Sequence, residues 1–211
     1  MKLLRNLRNE VDFFFRRNLK FKRKVKDSVY YPETSNVGEL LEKYITVDKD
    51  NIKILDIGSK NWFYVRELYK FFKYNNFEKE IWLDGIEIDA FRMYVNLHSR
   101  YDYAMHFSKG LKNCRYITGD FLKHHDKYDY ITWFYPFVTQ NPLLVWGLPL
   151  SLLKPRRMLE HALASLKPGG IIIIKNHEED EYIIQEKLFQ ELGVPYKKEP
   201  ECLITISQNT Y

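Results

Sequence analysis

Short apolar runs alternate along the chain with segments whose apolar positions recur every three to four residues. Read by period, this predicts strands at 52–56, 81–87, 115–117, 130–134 and 171–175, and a last strand at 203–207. Between them it predicts helices over about 64–74, 90–99, 155–166 and 179–192, and a long apolar loop over 135–154. Upstream, Pro32-Glu33-Thr34-Ser35 is a helix-start signal, with Ser35 capping a helix that runs to about Tyr44. Residues 3–21 carry Leu4, Leu7, Val11, Phe14, Phe15 and Leu19 on one broad helical stripe. Apolar strands separated by helices predict an α/β fold: a Rossmann-like doubly wound, mostly parallel sheet with helices on both faces. Right-handed crossovers then collect the carboxyl ends of the strands on one edge. The expected division is a basic amphipathic extension at 1–34 and one domain at 35–211.

Composition sharpens this in two ways. Fourteen Phe and sixteen Tyr in 211 residues are a heavy aromatic load, and most of it must pack inside. The net charge of +5 is unevenly spread: the first 26 residues hold ten Lys or Arg and two acids, so they carry +8 and the remainder −3. That arm is expected either to touch nucleic acid or an anionic membrane surface, or to dock on the domain with a solvated basic face. No apolar run approaches the roughly 20 residues needed to span a bilayer. Arginines and lysines interrupt any signal-peptide pattern at the start. Cys114 and Cys202 lie far apart without metal-like spacing, which reads as reduced thiols in a cytoplasmic protein.

Three acids fall at predicted strand ends. Asp56 stands in Asp56-Ile57-Gly58-Ser59, Glu87 in Gly85-Ile86-Glu87-Ile88-Asp89, and Asp120 in Thr118-Gly119-Asp120-Phe121. An acid ending the second strand can accept from both hydroxyls of a ribose. One after the third can accept from an exocyclic adenine amine, and one after the first can receive an ammonium group, directly or through water. The plainer reading is that Asp after a strand and before a helix is a common N-cap. Neither G-x-G-x-x-G nor G-x-x-x-x-G-K-[ST] is present, so a pyrophosphate or triphosphate loop has no support.

The order of these segments resembles that of the class I S-adenosylmethionine-dependent methyltransferases. Ile54-Leu55-Asp56-Ile57-Gly58-Ser59 is similar to that family's first motif, and Gly85-Ile86-Glu87-Ile88-Asp89 to its second. Gly119-Asp120-Phe121 is similar to its adenine-contacting segment, and Tyr128-Asp129-Tyr130-Ile131-Thr132-Trp133-Phe134 to its fourth strand. Leu166-Lys167-Pro168-Gly169-Gly170-Ile171 is similar to its turn into the fifth. The likeness covers about residues 36–192. It implies S-adenosylmethionine as cofactor, S-adenosylhomocysteine as product and a methyl acceptor that the residues do not identify, a small molecule being one candidate. It also implies cofactor contacts at Asp56, Gly58, Ser59, Lys60, Glu87, Ile88, Asp120, Phe121 and Phe134. Where the family places further glycines in its first motif, this chain has Lys60 and Trp62. A lysine there could pair with the cofactor's carboxylate or fill the space the cofactor needs. The end of the chain is short for the family's last antiparallel hairpin.

On the acceptor side, Trp133-Phe134-Tyr135-Pro136-Phe137 ends the fourth strand, as a wall for a flat substrate or as an aromatic cap on the core. Tyr135 and His177 are the candidate catalytic groups, His177 as a general base. Adjacent His124 and His125 point apart, and no metal site is assigned. The alternatives to methyl transfer are a catalytically inactive binding protein that works through its basic arm, and a nicotinamide-dependent oxidoreductase.

Overall fold

The computed structural model describes residues 37–47, 51–74, 80–199 and 202–206. The 1–34 extension expected from the sequence lies outside them. The described residues fall into two compact units.

One unit, residues 51–59, 80–88 and 112 onwards, holds a seven-stranded sheet in the order β3-β2-β1-β4-β5-β7-β6. The strands are β1 (Ile52–Ile57), β2 (Ile81–Glu87), β3 (Cys114–Thr118), β4 (Tyr128–Phe134), β5 (Leu166–Lys175), β6 (Lys197–Glu199) and β7 (Cys202–Ile206). The first five are parallel, and β7 runs antiparallel to both β5 and β6. The closing hairpin is thus complete although the tail is short, because a three-residue β6 suffices to pair Glu199 with Cys202. Central strands buried on both faces need apolar residues throughout, and every residue of β4 is buried. The core joins Leu55, Ile57, Ile131, Trp133, Ile172 and Ile174 to Leu159, Ala162 and Phe189. Those last three come from two helices, numbered here as α5 (Pro155–Ala164) and α6 (Glu179–Glu191). Pro155 opens the first of them, and a capping box between Glu178 and Glu181 opens the second.

Three predicted elements differ. Strand β5 starts at Leu166 and includes Pro168-Gly169-Gly170. A Cβ on Gly170 would meet the Lys167 carbonyl oxygen at 2.9 Å and those of Tyr128 and Asp129 at 3.1 and 3.2 Å, so only glycine lets the strands approach here. The expected loop at 135–154 contains helix α4 (Gln140–Val145) and a 3₁₀ turn (Leu150–Leu152), and it buries Val138 and Leu143.

The other unit comprises residues 37–47, 60–74 and 89–111. Helix α1 (Val37–Tyr44) packs on α2 (Val65–Tyr74), which packs on α3 (Arg100–Ser108). The helix expected at 90–99 is absent. Met93 pairs with Ser99 as a short hairpin, and the helix begins only at Arg100. Ser99 caps it: its Oγ accepts from the Asp102 N–H, while the Asp102 carboxylate accepts from the Ser99 N–H at 2.7 Å. No helix among the described residues is long and apolar enough to cross a membrane.

A charged network runs from the buried Asp84 to the surface of the sheet unit. Asp84, only 4% exposed at its side chain, takes both arms of the Arg115 guanidinium at 2.9 and 2.7 Å and the Tyr128 hydroxyl at 2.9 Å. His124 Nε2 lies 2.6 Å from that hydroxyl. Lys53 donates to Asp126 at 2.7 Å, which holds that carboxyl below its ordinary pKa.

Candidate functional site

Parallel order puts the carboxyl ends of β3, β2, β1, β4 and β5 side by side, and the sequence-predicted residues gather there. Asp56 pairs in register with Gly85 on one side and Thr132 on the other. Glu87 pairs with Thr118, two residues before Asp120. The three strand-end acids therefore share one edge of one sheet.

Their environments differ. Asp56 is fully buried and accepts from the Thr132 hydroxyl at 2.7 Å. Buried this way, it braces the strand end from within. Glu87 is 7% exposed and closes β2. Asp120 does cap: its Oδ1 accepts from the Leu122 N–H at 2.9 Å at the start of the 3₁₀ turn Phe121–Lys123. A carboxylate has about four acceptor positions, so capping leaves Asp120 capacity for a second donor. The Gly119 N–H donates to the Glu87 carbonyl at 2.9 Å, which ties the two acidic ends together.

The loop after β1 is the most distinctive part. The N–H groups of Gly58 and Ser59 both donate to the Ile86 carbonyl, at 2.9 and 3.2 Å. Gly58 has φ +71°, with open space where a Cβ would stand. Lys60 and Trp62, where the resemblance expects glycine, also have left-handed backbones, at φ +55° and +52°. Each costs on the order of 1–2 kcal/mol relative to glycine, so the surrounding structure imposes the path. Lys60 is partly buried and Trp62 fully so. The Ser59 Oγ is buried without a hydrogen-bond partner. A buried hydroxyl left unpaired is costly, which fits a loop whose polar complement comes from a bound group. The unpartnered Ser59 hydroxyl, with Glu87 and Asp120 on the same sheet edge, fits a ligand that carries an amino-acid end and a nucleoside.

Ile88 is 45% exposed beside Glu87, as a ligand-facing apolar residue would be. Phe121 belongs to the core, with its ring edge-on to His161 at 4.7 Å. Trp133 and Phe134 are also buried, at 5% and 8% exposure, so they cap the core and line no open wall. Tyr135 and His177 do meet: their rings pack edge-to-face at 5.5 Å. Tyr135 holds φ +56° while its N–H donates to the Lys175 carbonyl at 2.6 Å. The His177 side chain is half exposed, and its backbone N–H donates to Glu181 at 3.2 Å. His124 and His125 part company, the first on Tyr128 and the second against the His161 ring at 5.7 Å. Among the described residues no cluster of three or more His, Cys, Asp or Glu could hold a metal ion. Sequence reasoning missed Thr132, since its place beside Asp56 follows from strand register alone.

No family model and no curated protein matches this chain. Solved structures do. It is similar to a SAM-dependent methyltransferase from Aquifex aeolicus at 16% identity and TM-score 0.55, over 82% of this chain and 92% of that one. It is similar to a methyltransferase from Pyrococcus furiosus at 18% identity and TM-score 0.57, over 84% and 87%. A [4+2]-cyclase, SpnF, also matches, at 13% identity and TM-score 0.54, over 77% of this chain and 58% of that one.

Proposed function

We propose, for a chain with the Rossmann-like fold of the class I S-adenosylmethionine-dependent methyltransferases, that it transfers a methyl group from S-adenosylmethionine to a small acceptor. The carrying observation is the shared edge of Asp56, Glu87 and Asp120 beside a loop that keeps the left-handed path of a glycine-rich turn. Bound there, S-adenosylmethionine supplies an activated methyl group. The chain's part is to hold and orient. Glu87 would accept from the ribose hydroxyls, Ile88 and the Phe121 backbone would hold the adenine, and Asp120 would accept from its amine. Gly58 and Ser59 would receive the amino-acid end, Asp56 braces the strand end behind them, and Lys60, next in the chain, would supply a positive charge for its carboxylate. Phe134, packed in the core, would support the strand end that faces the cofactor without touching it. Tyr135 and His177 stand on the acceptor side, where His177 takes a proton from the acceptor. Acceleration comes mainly from positioning two reactants.

Isothermal calorimetry on the full chain tests this. S-adenosylmethionine and S-adenosylhomocysteine should both bind, and Glu87→Gln should weaken both by about tenfold or more, as loss of a charge-assisted hydrogen bond does. Absence of heat and of any thermal shift at saturating ligand sinks the reading. That outcome would favour a non-catalytic binding protein. One observation supports this second reading: the fully buried indole of Trp62 stands where the family has glycine.

A further inference from the structure

The hairpin after Asp89 contains none of the site residues named above. Arg100 N–H donates to the Arg92 carbonyl at 3.1 Å, Tyr94 N–H to that of His98 at 2.9 Å, and Leu97 N–H closes the turn on Tyr94 at 2.9 Å. Its base is firmly held. Asp89 pairs with Arg92 and with the buried Arg100 at 3.2 Å. Asn96 Nδ2 donates to the Tyr103 hydroxyl at 2.6 Å, and the Tyr94 ring packs edge-on to Tyr103 at 5.0 Å.

It exposes four apolar side chains. Phe91, Met93, Val95 and Leu97 are 67%, 55%, 57% and 77% exposed. Single exposed apolar residues need no explanation, but four at every second position along one short ribbon do. Leu97 sharpens the point. It holds φ +61°, a conformation that glycine or asparagine adopts far more readily in a hairpin turn. A leucine that is both strained and mostly exposed contributes little to folding, so contact with something outside the chain is the better account.

We propose that the tip of this hairpin, residues 91–97, enters the headgroup–acyl boundary of an anionic lipid membrane, while the basic first 26 residues are drawn to the lipid phosphates. Two magnitudes favour lipid over a protein partner. A standard protein interface needs roughly 800 Å² from each side, more than four side chains supply. Lipid binding has no such threshold: shallow apolar insertion adds to electrostatic attraction, and reversible anchoring ordinarily needs both. The chain carries both, since those first 26 residues hold +8. None of the four outer side chains has a hydrogen-bonding group that would mark a polar recognition surface.

The test is co-sedimentation of the full chain with vesicles of phosphatidylcholine alone and of phosphatidylcholine mixed with phosphatidylserine. The chain should pellet with the mixed vesicles only. A Val95→Thr, Leu97→Asn double variant should bind about tenfold more weakly or worse, since it removes apolar contact from the tip. That variant should melt no lower than the parent, because asparagine tolerates the left-handed turn. Equal binding by parent and variant would assign the membrane contact to the arm alone and overturn the proposal. So would a parent that ignores both vesicles, including one that self-associates in sedimentation velocity while the variant does not, which would make the tip an interface between copies of the chain.

Discussion

Tyr128 has one hydroxyl proton and two polar neighbours. It donates to Asp84 at 2.9 Å, so His124 Nε2, at 2.6 Å, must carry a proton and donate to the Tyr128 oxygen. Burial holds the His124 pKa below its ordinary value, against the opposing pull of Asp126 and Asp84. The unfolded chain therefore takes up this proton first as the pH falls. The stabilising contribution is complete above the ordinary histidine value of about 6.5 and is lost as pH drops through the lower folded value. Melting temperature should fall between about pH 7.5 and about pH 5. His124→Gln, which keeps a donor towards Tyr128, should flatten that slope, and an unchanged slope would place the effect on another group. The strand-end acids were legible in the sequence because each lies within two residues of a glycine at the end of a predicted strand. Thr132 was not, because 76 residues separate it from Asp56 and only strand pairing joins them.

At the scale of elements, apolar strands read truly and the segment after β2 did not. Phe91, Met93, Val95 and Leu97 alternate with period two, a ribbon signal that short length makes easy to mistake for a helical stripe. The Ser99–Asp102 capping box, written plainly in the sequence, fixes where the helix starts. The start of β5 carries its own test. Gly170→Ala forces a methyl group into three carbonyl oxygens at 2.9 to 3.2 Å. Chemical denaturation should show a loss of about 1–3 kcal/mol, as overpacking typically costs. A loss near zero would mean that β4 and β5 part more easily there than their packing implies. The length of β5 was hidden from the sequence because Pro168-Gly169-Gly170 reads as a turn when its carbonyl neighbours are unknown.

For the whole molecule, charge and fold are separable. Deleting residues 1–26 turns a chain of net charge +5 into one of −3. The truncated chain should keep a cooperative melt and lose salt-sensitive retention on a polyanion such as heparin, because the arm carries all the net positive charge. Unchanged elution salt would show that the arm's charges are neutralised within the chain. The fold was legible from the alternation of elements. The division at 1–34 rests on composition alone, and this truncation is its direct test.

The loop after β1 bears on how such chains come to be recognised. Its course is set by two amides converging on the Ile86 carbonyl and by left-handed turns at positions 58, 60 and 62, two of which are spelled without glycine. Residue spelling and backbone course have come apart at this corner. At this corner the backbone keeps three left-handed residues while two of the three carry full side chains.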